Sequence, residues 1–407
     1  MAPEAGVIGD KRGSGRRHVF GAIRRAGRIA RVDLARRTGI SPATVSAITA
    51  ELIEAGLIEE TAPGPAGAGD VRRGRPRVDL KVRGAARLVA GIKLSHESLT
   101  VALCDFEGQL VGDGYLALTR SCHEVEALIP LLSRAVADTT GDAGLSAGDL
   151  AGIGLGLAGT VDAARGTVHW SPNIAERNID LRARLTAALG LPVFVDNDTN
   201  SVAMAELHFG HGRGVANFVV LTIESGVGMG LVIDHELYRG ARGCGGEIGH
   251  SKVQLDGALC RCGQRGCLEA YVADYALLRD AETVMDLPEA GTQRRLQALI
   301  DAAEAGKAPA RRILERAGRM LALGIANIVN IFDPELVILS GERMQFDTVF
   351  AGGALDSYRG AIVQVDAAPP GIVIHKWGDL MWARGAAAYA VEGVADIALR
   401  EIAGDAA

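Results

Sequence analysis

GEIGHSKVQLDGALCRCGQRGCLE, residues 246–269, sets one histidine and three cysteines among three carboxylates. Cys260, Cys262 and Cys267 stand as C-x-C-x4-C, and His250 precedes the first of them by ten positions. Three thiolates and one imidazole form a closed tetrahedral set suited to structural zinc. A redox dithiol calls for C-x-x-C, which is absent, and Gly263 and Gly266 supply the tight turns that a ligand loop needs. Four protein ligands leave no position for an activated water, so the expected Zn2+ builds rather than catalyses. Anchoring the loop would fix Glu247, Glu269 and the free edge of the His250 ring, and charged acceptors make the stronger hydrogen bonds.

The rest of the chain gives this loop its setting. At 407 residues it is long enough for two or three domains. It carries 48% hydrophobic and 23% charged residues, the balance of a soluble globular protein. No uncharged apolar run approaches the ~20 residues of a membrane span, and Met1–Asp10 lacks the apolar stretch of a secretory signal. A cytoplasmic location is expected. Six cysteines are too few for a disulfide scaffold. Cys104, Cys122 and Cys244 stand apart from the loop and read as small buried apolar residues.

The net charge of −6 hides an asymmetry. Residues 1–87 hold 17 Lys/Arg against 9 Asp/Glu, and the remainder holds 26 against 40. A basic head on an acidic body suggests a polyanion-binding module joined to something with another task. Within the head, helices are expected over about 17–26 and 32–38, the second stopping at Gly39. Ser41 can cap a third helix whose first turn accepts Pro42. Val45, Ile48 and Leu52 recur at helical spacing and pack inward. Ser41, Ala43, Thr44, Ser46 and Ala47 then lie at the end of a recognition helix that meets base edges. The stretch VRRGRPRVDL fits the wing of a winged helix-turn-helix, with Arg73 and Arg75 suited to a minor groove. TAPGPAGAGD, residues 61–70, is too rich in Pro, Gly and Ala to pack and reads as a mobile wing tip or hinge.

From Arg87 onward, apolar strand-like runs such as LAGIGLGLAG and NFVVLTIESGVGMGLVI alternate with helical patterns such as RRILERAGRMLALGIANIVNIF. Such alternation implies α/β architecture with layered sheets. Glycine-rich segments near 154–159 and 226–230 suggest two related lobes enclosing a cleft.

VDNDTNSVAMAELHFG (195–210), GVGMG (226–230), GCGGEIGH (243–250) and CRCGQRGCLEAY (260–271) together resemble the ROK family of repressors, open reading frames and kinases. The likeness extends to its xylose- and N-acetylglucosamine-type repressors. It implies a two-lobe actin/hexokinase-like (ribonuclease H-like) domain over 87–407, carrying the zinc loop 243–270. Ahead of it come a winged helix-turn-helix at 1–62 and a wing and linker at 63–86. In that family the positions of Glu247, His250, Glu269, Asn197 and Asp198 bind the sugar, and Gly159 and Asn173 resemble further sugar-side positions. Taken alone, Asn197 and Asp198 also suit a plain turn after a strand.

Kinases of this family use the aspartate matching Asp198 as a general base. Their first phosphate loop has an Asp, an apolar residue and Gly-Gly-Thr. Here Lys93 stands at the acid and Ser95-His96-Glu97 at the glycines, so side chains would crowd the approach of a triphosphate. The second loop keeps Gly226, Gly228 and Gly230 but begins Glu224-Ser225, and LSGERM keeps only Gly341 of a glycine pair. The expectation is a non-catalytic regulator. It would bind a palindromic double-stranded operator as a homodimer or dimer of dimers, and a sugar or sugar phosphate would close the cleft.

Overall fold

The computed structural model of the chain describes residues 11–62, 78–341, 356–363, 366, 368–375 and 380–404. These fall into two compact units, one running to Phe209 and resuming at Trp382, the other spanning Gly210–Met381.

The first unit opens with α1 (Lys11–Ala26), β1 (Ile29–Ala30), α2 (Arg31–Thr38) and α3 (Pro42–Glu54), followed by β2 (Ile58–Thr61) and β3 (Asp79–Val82). The three strands form an antiparallel sheet in the order β1-β3-β2. The helix α2 stops at Gly39, which takes a φ of 68°. Ser41 caps α3: its hydroxyl accepts the Thr44 N–H at 3.2 Å, and Pro42 fills the first turn. Val45, Ile48 and Leu52 are buried with Val19, Phe20, Ile23 and Leu34, leaving Ala43, Thr44, Ser46 and Ala47 exposed. The first helix begins at Lys11 rather than at Arg17. Glycines at 13 and 15 mask it in the sequence, since glycine disfavours helix. A tertiary contact offsets this, because the buried Arg16 guanidinium donates to Glu51 of α3 at 2.7 Å. Arg73 and Arg75 lie outside the described residues.

Next come β4 (Leu88–Leu94), β5 (Ser98–Asp105), β6 (Leu110–Ala117), α4 (Val125–Asp142) and β7 (Leu150–Leu157). The short strands β8 (Thr160–Asp162), β9 (Thr167–Trp170) and β10 (Ile179–Asp180) form a separate antiparallel sheet. Then follow α5 (Leu181–Leu189), β11 (Val193–Asn197) and α6 (Asp198–Phe209). The main sheet runs β11-β7-β4-β5-β6, with β4 to β6 antiparallel in series and β7 and β11 parallel to β4.

The second unit holds β12 (Phe218–Ile223), β13 (Val227–Ile233) and β14 (Glu236–Tyr238). The metal loop follows, with α7 (Glu269–Val272), α8 (Asp274–Ala281), α9 (Thr292–Glu304) and α10 (Ala308–Phe332), then β15 (Leu336–Ser340) and β16 (Gly371–His375). Its sheet runs β14-β13-β12-β15-β16. Each main sheet is thus an antiparallel meander of three strands with two parallel strands added beside the first. One plan is used twice, although the glycine-rich segments of the sequence fall on non-equivalent strands of it, 154–159 at β7 and 226–230 at β13.

The helix α11 (Met381–Ala403) belongs, from Trp382 on, to the first unit. It lies so near the main sheet that a Cβ on Gly91 would stand 2.0 Å from the Ala383 carbonyl oxygen, and one on Gly154 1.9 Å from that of Ala386. Side chains are excluded there by backbone. Val391, Val394, Ala395 and Leu399 of α11 share one buried cluster with Val19, Phe20 and Ile23 of α1 and with Val89 and Phe106. The rings of Phe20 and Phe106 stand 6.0 Å apart, and the Arg24 guanidinium lies over them at 4.8 and 5.3 Å. Burial pushes the Arg24 pKa down to about 10, against the opposing pull of Glu392 and Asp396 on α11. Asp396 also pairs with Arg17 at 3.1 Å.

Of the three isolated cysteines, only Cys104 is buried; Cys122 and Cys244 are exposed, contrary to their apolar reading. Cys104 faces the core from β5, whereas Cys122 and Cys244 sit outside regular structure with their own side chains turned to solvent, the loop of Cys122 burying His123 instead.

Candidate ligand and metal site

The loop from Glu247 to Leu268 is folded by its own backbone. The Cys260 N–H donates to the Gln264 carbonyl at 2.8 Å, Val253 to that of Gly266 at 2.9 Å, and Leu268 to that of Ser251 at 2.9 Å. Gly266 takes a φ of 78°, and a Cβ there would lie 1.8 Å from the Gln254 carbonyl oxygen. Only glycine fits this corner.

These turns bring the donor atoms of His250, Cys260, Cys262 and Cys267 within 4.8 Å of one another, so the four can hold one metal ion. Cys260 Sγ lies 3.7 Å from His250 Nδ1, and Cys262 Sγ 3.7 Å from Cys267 Sγ. A tetrahedral ion with metal–sulfur bonds of about 2.3 Å has edges of roughly 3.8 Å, so the residues fit. Lys252 Nζ stands 3.0 Å from Cys267 Sγ and donates to the His250 carbonyl at 3.1 Å. Its charge offsets part of the excess that three thiolates would bring.

Glu269 opens α7 directly behind the last cysteine and is nearly buried, at 9% exposure. Its Oε2 accepts the Val227 N–H at 3.4 Å; its Oε1 accepts the Tyr275 hydroxyl at 3.4 Å and faces Cys260 Sγ at 3.5 Å. Glu247, just before the 3-10 turn Ile248–His250, is exposed. Since His250 turns Nδ1 to Cys260, its other ring edge points away from the thiolates.

In the first unit, Asn197 ends β11 and Asp198 begins α6. The Asn197 amide donates to the Gly159 carbonyl at 2.9 Å, and its Oδ1 accepts the Thr199 N–H at 2.9 Å. Fully buried Asp196 accepts the Asn197 N–H at 2.7 Å and the Asn200 amide at 2.9 Å. Gly159, Asn197 and Asp198 are therefore assembled together. Desolvation raises the Asp198 pKa, opposed by the Lys93 charge and by the Thr199 N–H. Asn173, at 1% exposure, donates its amide to the Ser121 carbonyl at 3.2 Å and faces His96 Nδ1 at 3.3 Å.

Sequence reasoning missed several residues around these sites. The Lys93 ammonium lies 4.4 Å over the Trp382 ring, from the far end of the chain. The substitution at position 93 is visible in the sequence, but its aromatic partner is not. Nothing there marks Tyr275 or Asp196 either.

Residues 89–392 match the ROK family, and residues 16–59 match the winged helix-turn-helix DNA-binding family. The chain is 31% identical over 333 residues to a xylose repressor of Caldicellulosiruptor bescii, covering 79% of this chain and 81% of that protein. It resembles the crystal structure of a ROK family transcriptional regulator, a homologue of the E. coli MLC protein. That likeness has 27% identity and a TM-score of 0.77, over 97% of this chain and 99% of that one. It also resembles a ROK family glucokinase of Streptomyces griseus, solved with glucose and AMPPNP. There the identity is 28% and the TM-score 0.64, over 75% of this chain and all of that one, 100%. The chain belongs to the ROK family.

Proposed function

We propose that this protein is a sugar-responsive, DNA-binding transcriptional repressor of carbohydrate uptake or catabolism genes. The observation that carries the reading is a capped helix α3 with Ala43, Thr44, Ser46 and Ala47 exposed, in the same chain as a ROK domain. Such a helix enters the major groove by its N-terminal end, and a homodimer, or two dimers together, would match a palindromic operator. Arg73 and Arg75 would add minor-groove contacts. No described helix is long and apolar enough to cross a membrane, and a cytoplasmic location belongs to the same reading.

The effector is a sugar or sugar phosphate. The residues proposed to bind it are Gly159, Asn173, Asn197, Asp198, Glu247, His250 and Glu269. Zn2+ is the metal that suits three cysteines and one histidine; when bound it supplies a rigid brace for His250 and Glu269. The ligand shifts operator affinity only by its differential affinity for two states of the protein, typically ~1–3 kcal/mol.

Catalysis is not part of the reading. Where a kinase needs an acid for its metal, Lys93 sits on the Trp382 ring. Where it needs glycines, Ser95 closes a tight turn by donating its hydroxyl to the Ser98 carbonyl at 3.1 Å. The likeness to a glucokinase keeps a second reading alive, that of an ATP-dependent sugar kinase with a fused DNA-binding head. Steady-state assays with ATP and a hexose panel separate the two, and phosphorylated product would overturn the repressor reading. Operator binding followed by fluorescence anisotropy tests the rest. A sugar should weaken it, and Glu247→Ala should abolish that response without weakening binding in the absence of sugar. Heat from no sugar in calorimetry, with operator binding intact, would point to gating by a protein partner instead.

A further inference from the structure

A second concave site lies in the same unit as the metal loop. This cavity of about 460 Å³ is lined by Cys260 and Arg261 of the loop, Tyr275, Arg279 and Asp280 of α8, and Arg316 of α10, among others. Its charges do not balance. Arg279 and Arg316 share the one lining carboxylate, Asp280: Arg279 Nε lies 3.0 Å from Oδ1, and Arg316 Nη2 meets Oδ2. Arg279 also donates to the Leu259 and Ala270 carbonyls at 3.4 and 3.0 Å, so it serves as wall. The Arg261 guanidinium lies 4.1 Å over the Tyr275 ring and has no hydrogen-bond acceptor among the described residues. The Arg316 guanidinium lies 5.5 Å over the Tyr271 ring, and Asp280 is its acceptor.

Three guanidinium groups stand against one carboxylate. The thiolate charges of the metal set, Cys260 in the wall included, would be met by a bound divalent metal and Lys252, so an excess of two positive charges remains in the metal-loaded chain. Guanidinium offers several donors in a planar fork that matches the oxygens of carboxylates and phosphates, and it stacks on aromatic rings without losing them. The volume lies within the range of small-molecule sites, about 300–1,000 Å³. An occupant that neutralises the pocket is a dianion with several acceptor oxygens.

We infer that this cavity is a second ligand site, which binds a phosphoryl dianion, free phosphate or a phosphate monoester, between Arg261 and Arg316. Neither residue belongs to the metal set or to the sugar-binding set above.

Calorimetric titration of inorganic phosphate into the metal-loaded full chain, at constant ionic strength, tests this. Saturable binding is expected, weakened about tenfold by Arg261→Gln and further by Arg261→Gln with Arg316→Gln. Arg36→Gln, in the DNA-binding head, should leave it unchanged. Arg261 is exposed, so the variant should fold, and thermal unfolding checks this. No saturable heat at millimolar phosphate would overturn the inference, as would equal losses from Arg36→Gln and Arg261→Gln. Repeating the titration with glycerol 3-phosphate, an ester without a sugar ring, separates the sources: tighter binding of the ester that Arg261→Gln weakens identifies an esterified ligand, and equal binding identifies the free anion. The readout is phosphate alone, so it decides this site whether or not the sugar reading holds.

Discussion

Asp198 holds its proton more tightly in the folded chain than in the unfolded one, because desolvation outweighs the help of Lys93 and the Thr199 N–H. A carboxyl raised in this way favours the fold while protonated, and the advantage is lost as pH rises through the folded value. At neutral pH the ionised side chain therefore works against stability. Asp198→Asn should melt a few degrees higher at pH 7, with the gain shrinking toward the carboxylate range; calorimetry across pH checks it. The same variant should lose its sugar response. A stability gain coupled to lost function is the usual mark of a binding residue. Residue-scale features were legible where their cause is local. Ser41 and Pro42 announce a helix start within four positions, and the cysteine spacing announces a ligand set. Cys122 and Cys244 were misread because burial depends on the face a loop presents, which no neighbouring residue encodes. The stacking of Lys93 on Trp382 joins positions 289 residues apart.

Among the elements, the loop of residues 246–269 is the one held least by regular structure. Residues 246–269 include no regular strand, and their order comes from turns, carbonyl contacts and four converging donors. Chelation, or Cys267→Ser, should release the metal and loosen the loop. Elemental analysis should find about one zinc per chain in the parent and almost none in the variant. Hydrogen exchange should speed up over 250–272, while operator binding without sugar persists. Retained metal in Cys267→Ser would contradict the ligand set. The histidine and cysteines gave this element away in the sequence. The start of α1 did not, since two glycines weaken the helical pattern that an ion pair from Arg16 to Glu51 restores. Nor does the sequence announce the packing of α11, a helix rich in alanine whose bed is made by Gly91 and Gly154.

Over the whole molecule, the alternation of strands and helices foretold layered α/β units, whereas the two glycine-rich segments fall on non-equivalent strands, β7 and β13, and do not mark the repeat. What the alternation could not foretell is that the helical head has no sealed core of its own. Phe20 reaches Phe106 and, through the shared cluster, α11. Phe106→Ala should therefore cost about 3–5 kcal/mol, and the loss should be felt in α1 as well as in β5. Urea unfolding with hydrogen exchange resolved along the chain checks both; protection lost in β5 alone would show that the head stands by itself. The same packing imposes an order of assembly. Residues 11–62 leave the ribosome more than 300 residues ahead of Val391, Val394 and Leu399. Until then the nascent head exposes an apolar flank. A message cut short before codon 380 would yield a protein whose operator reader lacks its seat, rather than a free-standing repressor.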